Sequence, residues 1–191
     1  MNKKKLFAMM ALVIVLAILG TGTLAYFTTR ALVHNVITTG GVNIELEETM
    51  LNDKGQEIPF VDQTGAMPGQ EISKIVRVTN KDAEAWIRIQ VVETIDEKAD
   101  SENVIRINYN LGTAPTQWTE KDGWYYYNKP LANGETTEPL FKGVTLAGRE
   151  MDNKYQNKDI VVSVSAQAVQ AANNAIPDGG NVTDVKGWPK D

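Results

Sequence analysis

Apolar and polar residues alternate along much of this chain. In residues 42–47, Val42, Ile44 and Leu46 fall on one face and Asn43, Glu45 and Glu47 on the other. A period of two is the mark of a half-buried strand. The same period runs through 72–79 around Val76 and Val78, and through 104–111 by way of Ile105, Ile107 and Tyr109. In residues 160–170, Ile160, Val162, Val164, Ala166 and Ala168 line one face, with Ser163, Ser165 and Gln167 on the other. Residues 85–92 are rich in β-formers and carry Trp86, Arg88 and Ile89. Residues 117–120 and 124–127 flank Lys121-Asp122-Gly123, which predicts a hairpin with Gly123 in the left-handed region. Turns are predicted at Asn52-Asp-Lys-Gly55, Pro68-Gly69, Asn80-Lys-Asp82 and Asn133-Gly134. After residue 30 no stretch has helical period. Short strands at even spacing, about seven to nine of them, predict an all-β fold: a jelly-roll-like antiparallel β-sandwich.

The N-terminus follows another pattern. Lys3, Lys4 and Lys5 precede fourteen consecutive apolar residues, 6–19, and then Gly20-Thr-Gly-Thr-Leu-Ala25. Thr23 and Ala25 suit the −3 and −1 pockets of a signal peptidase, which places cleavage between Ala25 and Tyr26. The apolar core is shorter than the ~20 residues a membrane-spanning helix needs. An uncleaved anchor is the alternative, since no charge appears between Lys5 and Arg30. The chain therefore divides into a cleavable signal helix (1–25), an N-terminal segment (26–40), a β-sandwich domain (41–176) and a tail (177–191) rich in Gly, Asp and Pro and expected to be flexible. A secreted protein is implied, touching the membrane only through its uncleaved signal peptide and meeting signal peptidase as its first partner.

Charge and composition narrow the function classes. The formal net charge is −5, and setting aside the three leader lysines leaves 16 basic against 24 acidic residues, a net of −8. Such a surface repels phosphate backbones, which argues against nucleic-acid binding. There is no cysteine, so thiol catalysis and cysteine metal sites are excluded and no disulfide staples the fold. In a secreted chain this favours a Gram-positive source.

An enzyme needs convergent groups, and few are available. The single histidine, His34, lies in the N-terminal segment. No H-E-x-x-H, G-x-S-x-G, P-loop or Ca²⁺-loop pattern is present. Neither a cofactor nor a catalytic or metal-ligating residue is expected. The aromatic run Trp124, Tyr125, Tyr126 and Tyr127 has two readings. It is a strand with one pair of rings in the core, or a platform for a sugar or protein partner. Arg88 and Arg106 are expected to point outward.

Several segments together resemble one family. Lys3-Lys-Lys, the apolar core and Gly22-Thr-Leu-Ala-Tyr-Phe-Thr28 resemble the leader read by the dedicated signal peptidase of Gram-positive biofilm proteins. Thr39-Gly-Gly-Val-Asn-Ile-Glu-Leu46, Pro68-Gly-Gln-Glu-Ile-Ser-Lys-Ile-Val-Arg-Val-Thr-Asn80, the stretch 122–141 and Asn153-Lys-Tyr-Gln-Asn-Lys-Asp-Ile160 are similar to body segments of the TasA/camelysin family. The resemblance implies a secreted jelly-roll subunit that polymerises head to tail into extracellular biofilm-matrix fibres. It also implies donation of the freed N-terminal segment as a strand to the next copy, with an accessory matrix protein as a further partner. On this chain the donor would be 26–40, with Phe27, Leu32, Val36 and Ile37 as the apolar contacts. Two alternatives stay open: a monomeric cell-surface adhesin using Trp124–Tyr127, and a camelysin-like surface metalloprotease, which would have to use His34.

Overall fold

The computed structural model describes residues 27–30, 35–39, 42–100, 102–155 and 157–189, the first two stretches as backbone only. The signal-peptidase residues Thr23, Ala25 and Tyr26, together with Leu32 and His34, lie outside the described residues.

Two sheets form a sandwich. The larger contains β1 (Phe27–Arg30), β2 (Asn35–Thr39), β5 (Gln63–Ala66), β7 (Ala85–Ile95), β8 (Lys98–Ala99), β10 (Trp118–Lys121), β11 (Trp124–Tyr127) and β13 (Asp159–Gln170). Its order is β10-β11-β7-β13-β1-β5, with β2 also along β13 and β8 along β7. The smaller sheet runs β4 (Glu57–Pro59), β3 (Ile44–Leu51), β6 (Glu71–Asn80), β12 (Phe141–Leu146), β9 (Ile105–Ile107). Pairing is antiparallel except where β1 and β2 lie parallel to β13. The all-β sandwich expected from the alternation is the fold observed.

Alternation explains the core. Ile44 and Leu46 of β3, Ile72, Val76 and Val78 of β6, and Phe141, Val144 and Leu146 of β12 point inward from the smaller sheet. Ile87 and Ile89 of β7, Trp118 of β10, Tyr127 of β11 and the residues Ile160 to Ala168 at every second position of β13 meet them from the larger one. Burying each large side chain contributes about 1.5–3 kcal/mol. Asn80, fully buried at the end of β6, is polar and satisfied: it donates through Nδ2 to the carbonyls of Ala83 (2.9 Å) and Leu131 (2.8 Å) and accepts from the Asp82 N–H (3.2 Å). It thereby fixes the turn from β6 into β7.

Two expectations about extent are corrected. The strand foreseen over 104–111 is only Ile105–Ile107, after which Tyr109 turns to stack on Tyr125 with ring centroids 4.4 Å apart. The tail 177–191, expected to be flexible, folds back over the described residues to 189. Val182 and Val185 are buried, and Trp188 packs with them. Asn181 starts a short 3-10 turn, Val182–Asp184, whose capping box joins the Asn181 side chain to the Thr183 N–H (2.8 Å) and the Asp184 carboxylate to the Asn181 N–H (3.0 Å). Gly187 has φ of +80°, and a Cβ there would come within 2.4 Å of Asn174 Oδ1. Glycine is required for this close return of the chain.

Candidate functional site

β13 is the longest strand and organises the site. One edge pairs antiparallel with β7 in an unbroken register from Ile160–Ile95 to Gln170–Ala85. The other edge carries the N-terminal segment. Thr28, Thr29 and Arg30 pair with Asp159, Ile160 and Val161, and Asn35 to Thr39 pair with Ser165 to Val169. β1 and β2 thus lie in tandem along one edge, with nearly constant offset. β1 is flanked on its far side by β5, with Thr29 opposite Gln63 and Thr28 opposite Thr64. Phe27, Val36 and Ile37, expected as donor contacts, sit within these two strands. In the single chain the segment pairs with its own domain, through backbone hydrogen bonds at a sheet edge.

The aromatic run splits by face as its alternation predicts. Tyr127 faces the inter-sheet core and Tyr125 packs against it, while Trp124 and Tyr126 face outward. Outward here does not mean exposed. Trp86, Trp124 and Tyr126 are 7%, 9% and 6% accessible because the C-terminal segment covers them with Ile176, Val182, Val185 and Trp188. Of the two readings of Trp124, Tyr125, Tyr126 and Tyr127, the strand with one pair of rings toward the core fits this arrangement, and the cover closes the outer pair, Trp124 and Tyr126. Arg88 also faces outward, as expected, yet its guanidinium lies over the rings of Trp124 (3.9 Å) and Trp188 (4.7 Å). Its Nε and Nη2 both donate to Gln167 Oε1, at 2.9 and 2.6 Å. A planar guanidinium suits both the stacking and the forked hydrogen bond. Arg106 is exposed and pairs with Glu150 at 2.9 Å.

Charged groups inside the sandwich are few. Lys74, 2% accessible, points inward from β6 and forms an ion pair with Glu48 of β3, and its Nζ lies 4.1 Å from the Phe60 ring centroid. Burial pushes the Lys74 amine below its usual value, against the pull of Glu48. At the opposite end, Tyr109 donates to Glu93 Oε1 (2.8 Å), and burial raises the Tyr109 phenol well above its usual range. A cleft of about 470 Å³ lies beside β12, lined by Glu71, Asn110, Glu138, Lys142 and Thr145 among others. Among the described residues no group of three or more His, Cys, Asp or Glu side chains is placed to hold a metal ion. Comparison of the chain with protein-family profiles, with characterised proteins and with solved structures returns no match.

Sequence reasoning missed three features of the site. β5, with the sequence Gln-Thr-Gly-Ala, has no apolar alternation to betray it. The inward Lys74 was indistinguishable from a solvent-facing lysine in an alternating strand, except that it shares parity with Ile72 and Val76. The C-terminal cover carries a readable signal in Val182, Val185 and Trp188, which are spaced at three, but the surrounding Gly, Asp and Pro residues mask it.

Proposed function

We propose that this protein is a secreted structural subunit that polymerises head to tail into extracellular matrix fibres by donating its N-terminal strand segment to a neighbouring copy. The observation that carries the reading is the placement of residues 27–30 and 35–39. These two stretches follow the leader and lie along one edge of β13, where their pairing is made by backbone groups. Any second copy offers the same groups in the same register. Removing the segment would leave a row of unpaired N–H and C=O groups on β13, which another strand satisfies. Exchange between copies is heterologous and does not close on itself, so it extends into a filament. Signal-peptidase cleavage after Ala25 is the switch in this reading: before it, the segment is tethered to the signal helix, and afterwards it is free to reach a neighbour. The acidic surface keeps the cleaved monomer soluble until it docks.

The test compares the chain starting at Tyr26 with one starting at Gly41, both concentrated and imaged by negative-stain electron microscopy. The longer chain is expected to give filaments, and the shorter one folded monomers. Filaments of normal length from the shorter chain would overturn the reading.

A further inference from the structure

Ion pairs such as Lys81–Glu45, Arg106–Glu150 and Lys154–Glu102 lie at the surface, with both partners well exposed. Lys74–Glu48 is different: its two side chains are 2% and 5% accessible. Both point into the sandwich. Lys74 shares the inward face of β6 with Ile72 and Val76, and Glu48 shares that of β3 with Ile44 and Leu46. The register explains why they meet. Glu48 is directly opposite Val76, so Lys74, two residues along, is its diagonal neighbour on the same face. Diagonal neighbours are about 7–8 Å apart, a span that two long side chains close. Lys74 Nζ touches Glu48 Oε2 and lies 4.1 Å from the Phe60 ring centroid. Phe60 is held there by its own N–H, which donates to the Glu48 carbonyl (3.0 Å). A buried ammonium beside a buried carboxylate is costly, since their attraction often fails to offset the desolvation of both. Burial accordingly pushes the Lys74 amine toward its neutral, nucleophilic form, against the pull of Glu48.

We propose that Lys74 and Glu48 are the two halves of a covalent cross-link, an amide between Lys74 Nζ and Glu48 Cδ that staples β6 to β3. The step needs no co-reactant. Proton transfer within the pair gives an amine and a carboxylic acid. Nζ adds to Cδ, one Glu48 oxygen departs with two protons as water, and the Nζ–Cδ bond remains. Nothing is oxidised or reduced. Asp62, exposed between β4 and β5, acts on the Lys74 amine through its charge. It can take a proton from Nζ and deliver it to the departing oxygen. Groups held in contact react as if at about 10⁵–10⁸ M, and exclusion of water opposes hydrolysis of the product. The amide is neutral, so the desolvation cost of two charges disappears with its formation. The bond closes the excursion 49–73, which carries β4 and β5. In a chain without cysteine it does what a disulfide does elsewhere, and it stands independently of strand donation.

Intact mass tests this directly. The chain starting at Tyr26, purified folded and then denatured for mass spectrometry, should be lighter than its sequence by one water. Digestion should yield a branched peptide joining Glu48 to Lys74, with no tryptic cut after Lys74. Folded protein at its full sequence mass, unchanged on long incubation, would overturn the cross-link. So would a missing water that maps to any other site. Lys74→Met keeps an unbranched apolar stem in the same space and removes the nucleophile, so it should show its full sequence mass. Loss of a water from that variant too would overturn the assignment. The measurement on the unsubstituted chain does not depend on this variant folding. Asp62→Asn, at an exposed position, should fold normally. It should slow the appearance of the bond by about 10²-fold when unfolded chain is refolded and its mass followed in time. An unchanged rate would overturn the part given to Asp62.

Discussion

The two ends of the chain return to the same sheet by opposite means. The N-terminal segment joins at an edge of β13 through backbone hydrogen bonds, in a register any extended chain can adopt. The C-terminal segment joins on a face, through Val182, Val185 and Trp188 seated on Trp86, Trp124 and Tyr126. Edge pairing is tolerant of side chains and so can be handed from one copy to another. Face packing depends on shape and stays with the chain that evolved it. Both ends are attached, and only one is suited to exchange.

The largest break in this comparison comes from removing the face contact. A chain ending at Asn173 strips four apolar side chains from the outer aromatic cluster. At about 1.5–3 kcal/mol each, the loss approaches the whole stability of an ordinary domain, about 5–15 kcal/mol. Soluble yield and thermal melting should show an unfolded or aggregating product. Trp188→Ala alone should cost about 2–3 kcal/mol, at or below the low end for fully buried tryptophans because the ring is only partly buried. Chemical denaturation reads this directly. Arg88→Lys loses the fork on Gln167 and the contact over the two indoles, and should cost about 1–2 kcal/mol in the same assay. By contrast, Thr29→Pro removes a backbone donor from β1, which β13 and β5 flank on both sides. The domain from residue 42 onward should stay folded by circular dichroism while filaments are abolished, separating exchange from folding.

The smallest effect is in acid. The Asp184 carboxyl is held below its ordinary value by the Asn181 N–H, with Lys121 assisting. A carboxyl depressed in the folded state adds stability that is fully present above its usual pKa of 3.8 and is lost as pH falls through the depressed value. Tryptophan fluorescence should report loosening of the C-terminal cover at acid pH before global unfolding. Asp184→Asn should remove that early step.

How much could be read in advance follows the same division. The period-two stretches indicated β3, β6 and β13 and the inward residues of each, because each strand buries one face and a one-residue slip would expose it; β7 was indicated by β-forming composition alone, without its inward face. β12 escaped because its register shifts between Phe141 and Gly143, so its inward residues Phe141, Val144 and Leu146 are not evenly spaced. The short edge strands β4 and β5 bury almost nothing and leave no hydrophobic trace. The outer aromatics were legible as a strand face. Their cover was not, because it depends on a distant, polar-looking segment folding back. The N-terminal strands were expected from the leader's position and the family resemblance; their parallel pairing with β13 is a tertiary fact that no local pattern encodes.

That parallel pairing also bears on mechanical behaviour. Wherever residues 35–39 lie along β13 of another copy, a pull directed along the two parallel strands loads them in shear. The bonds between them then share tension and must yield together, whereas a hairpin pulled from its open end unzips one bond at a time. Rupture under load is governed by the rate of that concerted step and not by equilibrium affinity. In the proposed filament, a joint of modest affinity built this way would outlast under load what its affinity alone implies.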